Sequence, residues 1–229
     1  MKSYIYLIIF LLFFSCGKDK SVLLPEIEHA KITEILDVSP AYLFYDETQP
    51  DSIELNRKNL IGTTNWLFNV DKRLTLEQAI PKIKFLQDKK RNAQMHKNEN
   101  AKNYYTCNDT SIQNLGFIEF TEVRYQTIPL RDYFKDKAQY EKMSLGLNII
   151  SEHNYSLESS YKGKSNTELY SNINEVIDKI DEYYSIESDV KLYLLFHSKL
   201  SFQNYISIKS KMQTIIDKGI LIDNNEFIY

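Results

Sequence analysis

The residues able to do chemistry in this chain are few: two cysteines, four histidines and some clustered charges. Cys107 lies in Tyr105-Thr106-Cys107-Asn108-Asp109. A nucleophilic thiol needs a base or a cation close by to hold it as thiolate. Nothing around Cys107 marks one, so it reads as a structural residue. His29, His96, His153 and His197 are widely separated, and none has the short, fixed spacing of a metal-ligating pair. Gly163-Lys164-Ser165 has the ending of a phosphate-binding loop, but the full pattern needs a glycine where Glu158 stands. Without it the backbone cradle is missing, and a turn followed by a helix cap is the better reading. Asp178, Asp181 and Glu182 could pair as general acid and base, yet their spacing is that of a solvated helix face. Lys89-Lys90-Arg91 suits a helix C-terminus, where positive charge is favoured. Trp66 and the tyrosines could stack on glycan, but they suit strand packing better. No catalytic residue, cofactor site or metal site is expected.

The remaining chemistry is at Cys16. Met1-Lys2 supplies a positive start, Tyr4 to Phe14 is apolar and uncharged, and Ser15-Cys16-Gly17 ends the run before Lys18-Asp19-Lys20. That layout is a secretory signal, too short to remain as a membrane-spanning helix. Phe13-Phe14-Ser15-Cys16 resembles the lipobox of bacterial lipoproteins, with phenylalanine in two positions where leucine and a small residue are commoner. The resemblance implies cleavage between Ser15 and Cys16, diacylglycerol on the Cys16 thiol and acylation of the new amino end. Several acyl chains on one cysteine anchor stably. Gly17 carries no inner-membrane retention signal, which favours the outer membrane. With Cys16 lipidated, Cys107 has no partner for a disulfide. The net charge of −3 gives no attraction to nucleic acid, and no basic stripe reverses it locally.

Elements that would position these groups follow from periodicity. Residues 16–36 read as a lipid-anchored tether. Ala41–Tyr45, Ser52–Leu55 and Trp66–Val70 have β character, with turn chemistry at Thr48–Asp51. Leu76, Ala79, Ile80, Ile83 and Leu86 share one helix face, with a capping box at Thr75 and Gln78; Pro81 predicts a kink or a later start. Residues 89–114 are polar and read as a long exposed loop, followed by a strand over Leu115–Phe120. In the second half, Leu145–Ser151 and Tyr155–Tyr161 form a hairpin. Ser165 and Glu168 predict a capped helix running to Tyr184. Lys191–His197 is a strand, Ser201 caps a last helix, Gly219 ends it, and Ile220–Tyr229 is extended.

Trp66–Leu86 lies on Leu192–Met212 without a gap, setting Leu74-Thr75-Leu76 against Leu200-Ser201-Phe202. The order strand, turn, capped helix, strand is thus repeated, which points to a duplicated domain. The second half resembles the periplasmic domain of the ExbD/TolR family, whose pattern is hairpin, helix, strand, helix, strand. The first half is similar around Asn69–Thr75 but lacks the first helix. The resemblance implies an α+β fold of two related domains, each a short sheet with helices packed on one face. Expected boundaries are 1–15 signal peptide, 16–36 tether, 37–125 first domain, 126–142 linker and 143–229 second domain. It also implies work beside a proton-driven transport system of the TonB or Tol type. The family's proton-responsive acidic residue has no counterpart in Tyr4–Phe14. The expected function is therefore a non-enzymatic envelope lipoprotein binding an envelope protein or peptidoglycan, with homodimerisation among the assemblies allowed. The alternative is a secreted small-ligand-binding protein or hydrolase.

Overall fold

The computed structural model describes residues 20–95, 98–134, 143–161 and 164–229. Ser15 and Cys16 lie outside them, as do residues 135–142 of the expected linker. The described chain is mixed α/β, with two six-stranded sheets.

The first sheet is built from β1 (Glu26–Ile27), β2 (Val38–Tyr45), β3 (Ile53–Asn56), β4 (Asn65–Val70), β5 (Asn103–Asp109) and β6 (Asn114–Glu119). β2, β4 and β5 run parallel, β3 and β6 flank them antiparallel, and β1 joins the far end of β5. Between β4 and β5 runs α1 (Leu76–Arg91), whose Ala79, Ile83 and Leu86 are fully buried. Its start follows from Thr75, whose amide donates to the Gln78 side chain at 2.8 Å. Pro81 lies inside the helix, against the expectation of a later start. One missing helical hydrogen bond is a smaller loss than giving up the buried face of Leu76, Ile80, Ile83 and Leu86, at about 1.5–3 kcal/mol for each side chain.

The second sheet contains β7 (Arg124–Gln126), β8 (Ser144–Ser151), β9 (Asn154–Tyr161), β10 (Lys164–Tyr170), β11 (Lys191–Phe196) and β12 (Leu221–Ile228), in the order β10-β9-β8-β11-β12-β7. Its helices are α2 (Leu130–Phe134), α3 (Ile173–Ile186) and α4 (Phe202–Asp217). By strand alternation, Gly146 and Leu195, which Leu130 of α2 approaches, are on the face opposite Leu145 and Leu147. Helical cover on one face alone was expected; the second sheet has a helix against its other face too. The expected boundary after residue 125 falls inside β7, which pairs with β12. One continuous apolar cluster runs through both units.

Three expected elements differ. The stretch expected as an exposed loop over 89–114 contains β5, a central strand. Two of its polar residues are buried with partners: Asn103 accepts from Lys90, and Asp109 accepts from the Ala30 amide and Ser111. The helix expected from Ser165 begins at Ile173, capped by Asn172; Ser165–Tyr170 is strand instead. Glu168 caps nothing and accepts the Tyr170 and Tyr183 hydroxyls, and Leu169, expected in the apolar stripe, is 76% exposed. Local capping signals were matched by the stronger pairing of the whole segment with β9. Finally, the chain from Lys20 to Ile32 does not hang free as a tether. Leu23 carbonyl accepts from Lys72, Glu26 exchanges two hydrogen bonds with Gln203, and Ile32 carbonyl accepts from Phe117.

Candidate functional site

The two strand-to-helix turns meet face to face. Leu76 N–H donates to Leu200 carbonyl at 2.9 Å, and Phe202 N–H donates to Leu74 carbonyl at 2.6 Å. Glu77 N–H donates to Ser198 carbonyl at 2.9 Å, and Gln203 N–H to Lys72 carbonyl at 3.2 Å. The shift that lays Leu74 on Leu200 exchanges the members of each pair, so the junction has a local pseudo-two-fold axis at Thr75 and Ser201, which form an isolated bridge. Amides of a helix's first turn have no intrahelical acceptor; here each helix finds acceptors in the other unit. Within each turn, Asp71 accepts the Arg73 amide at 3.1 Å and His197 Nδ1 accepts the Lys199 amide at 3.2 Å. These are matched positions as well.

Beneath the junction lies a buried polar row. The Tyr105 and Tyr125 hydroxyls share a hydrogen bond, Tyr125 meets Tyr205 at 3.2 Å, and Tyr205 donates to Glu226 at 2.7 Å. Lys209 donates to the other oxygen of Glu226. Burial, reinforced by the Glu226 charge, holds the Tyr205 hydroxyl well above the ordinary tyrosine range. Burial does the same to Tyr105 and Tyr125. These hydroxyls stay protonated and act as hydrogen-bond donors and acceptors, which suits bracing β5, β7, α4 and β12 against one another.

A cleft of about 550 Å3 opens where the β8–β9 turn faces α3 and α4. Ile149, Ile173, Leu200 and Ile208 supply its apolar surface, while Glu152, His153, Glu175, Asn204, Ser207 and Lys211 supply its polar groups. A second, larger groove runs between residues 26–32 and α4. Its charges are largely taken: Lys31 pairs with Asp217, and Lys209 with Glu226.

The third exposed feature is an edge. β10 ends the second sheet, and among the described residues no strand pairs with its outer side. Other edges are protected: β6 carries the bridge to Ile32, and β3 and β7 are short. β10 has seven residues and no proline.

The residues singled out from sequence scatter. Cys107 is fully buried, and burial next to Asp109 pushes its thiol far above the ordinary range, so it stays unreactive. Among the described residues no group of three His, Cys, Asp or Glu could hold a metal. His29 sits by the second groove, His153 in the first cleft, and His197 packs edge-on to Tyr229; His96 lies outside the described residues. Lys164 and Ser165 open β10, and Gly163 is undescribed. Asp181 pairs with Lys218 and Glu182 with Lys179, while Asp178 stays on the solvated side of α3. Trp66 is buried, with Lys90 over its ring at 4.9 Å. Lys90 is not a solvated helix end: it donates to Thr64 carbonyl, Lys102 carbonyl and Asn103, and burial lowers its pKa to about 8. Sequence reasoning missed Glu226, Lys209, Asn204 and Lys211. The gapless overlay carried a signal for Asn204, since it lies on Gln78. No protein-family model, curated protein or solved structure gives a match to the chain.

Proposed function

We propose that this chain is a non-enzymatic lipoprotein of the bacterial cell envelope, anchored through Cys16, that binds an extended segment of a partner protein along β10. The unpaired outer edge of β10 carries the reading. Strand addition supplies a partner with a ready row of main-chain hydrogen bonds. Counted from the two-residue connection to β9, the alternation of an antiparallel ladder turns the Ser165, Thr167 and Leu169 amides outward. Leu169, largely exposed, offers a side chain for specificity.

Two further observations support the setting. The order hairpin, helix, strand, helix, strand is present from β8 to β12, as in the ExbD/TolR family, with β10 added after the hairpin. This favours a partner belonging to a proton-driven transport system of the TonB or Tol type. Lys20 is already ion-paired to Asp46 and Glu54, so a lipid at Cys16 holds the body close to the bilayer, at roughly 3.5 Å or less per intervening residue.

The test is affinity purification of tagged protein from detergent-solubilised envelope, comparing the natural chain with Thr167→Pro and Cys16→Ala. Thr167→Pro removes an outward amide while sparing the ladder to β9. The natural chain is expected to recover a partner that Thr167→Pro loses at unchanged circular dichroism. Equal recovery by both sinks strand addition. Cys16→Ala is expected to abolish palmitate labelling and release the protein from the membrane fraction; unchanged labelling sinks the anchor.

A further inference from the structure

The β8–β9 cleft has a counterpart in the first unit, and there it is filled. β2 and β8 correspond: Val38 pairs with Asn65 as Ser144 pairs with Lys191, and the gapless overlay lays Asn65 on Lys191. In the first unit the hairpin turn spans Asp46 to Ser52 and reaches α1. Gln78 there donates to Asp51 carbonyl at 3.0 Å, and Lys82 pairs with the Asp51 carboxylate at 3.3 Å. In the second unit the turn is only Glu152 and His153, too short to make that contact. Asn204 lies where Gln78 does and Ile208 where Lys82 does, and both line the open cleft. Lys211, one turn further along α4, supplies a cation there.

The first unit therefore shows what this concavity takes: a peptide carbonyl held by a side-chain amide, and a carboxylate held by a lysine. The second unit keeps the amide and a cation, adds Glu152 and Glu175 from the β8–β9 turn and α3, and among the described residues provides no chain of its own to fill the space. Side chains of Glu152, Glu175, Asn204 and Lys211 make no hydrogen bond or ion pair among the described residues. The volume falls within the range of small-molecule sites.

We infer that the cleft binds a short zwitterionic peptide, its carboxylate at Lys211, a backbone carbonyl at Asn204 and its amine between Glu152 and Glu175. Ile149, Ile173 and Ile208 offer apolar contact to small side chains. The inference is independent of β10 and of the lipid, because none of these residues belongs to either.

The test is saturation-transfer NMR on the full chain in detergent. The probes are a pool of unblocked tripeptides, the same pool amidated at the C-terminus, and the pool acetylated at the N-terminus. Unblocked peptides are expected to bind, and either block to weaken binding about tenfold or more, as the loss of a charge-assisted contact does. Lys211→Gln is expected to erase the effect of amidation, and Glu152→Gln with Glu175→Gln that of acetylation. These exposed positions leave folding intact. Replacing Glu152-His153 by the Asp46–Ser52 sequence should close the cleft and abolish binding. No transfer from the unblocked pool at millimolar concentration overturns the inference. So does binding indifferent to both blocks and to Lys211→Gln.

Discussion

The two strand-to-helix units share one frame and have exchanged their chemistry. β4 and β11, and α1 and α4, begin at matched residues, yet the matched side chains differ in kind. Lys90, buried under Trp66, lies on Ile216, which is 49% exposed. Lys209, paired with buried Glu226, lies on Ile83, which is fully buried. The first unit closes its hairpin onto its helix; the second leaves that space open and buries an ion pair at the junction instead. A common backbone evidently fixes where a helix begins, while each unit's loops decide which helix positions become interior.

The largest effect is expected at the junction. Lys209→Met leaves Glu226, 1% exposed, as a buried charge without its cation. The expected loss is about 3–5 kcal/mol of stability by urea unfolding. A loss confined to the second half, with the first still folded by hydrogen exchange, would break the claim that the units stand together.

Next comes Lys90, with a distinctive pH dependence. Its folded pKa of about 8 lies below the ordinary 10.5. Below pH 8 both folded and unfolded chains are protonated, and the folded one carries the full burial penalty. Between pH 8 and 10.5 the unfolded chain binds more protons, so stability rises with pH. Relative to Lys90→Met, the natural protein is expected to gain on the order of 3 kcal/mol across that window. Parallel pH profiles for the two proteins would contradict the burial of a charged amine there.

The smallest effect sharpens the contrast between the hairpins. Asp51→Ala removes an exposed pair with Lys82 and should cost about 0–1 kcal/mol in thermal unfolding. A larger cost would mean that the long turn holds the first unit together rather than merely covering α1.

Much of this frame was legible in residue order. The overlay of Trp66–Leu86 on Leu192–Met212 needed no gap, and the caps at Thr75 and Ser201 sit at matched helix starts. β5 was hidden because Asn103, Thr106 and Asp109 look solvent-seeking. Asn103 and Asp109 are buried through partners far away in sequence, such as Lys90 and the Ala30 amide. β10 was hidden because Ser165 and Glu168 have helix-cap spacing, and only the register with β9 decides against it. The cleft was written in the unequal lengths of two hairpin turns, but its depth depends on α3, which the first unit lacks.

The segment from Lys20 to Ile32 has a mechanical consequence. Glu26 grips Lys72 in the first unit and Gln203 in the second, and Lys31 reaches Asp217 at the end of α4. Tension applied ahead of Lys20 therefore loads the first unit at Lys20 and Leu23, is shared by both halves from Glu26 onward, and runs along β1 as shear against β5. The strap works as a harness: a pull tightens the two units onto a common load path instead of drawing one away from the other.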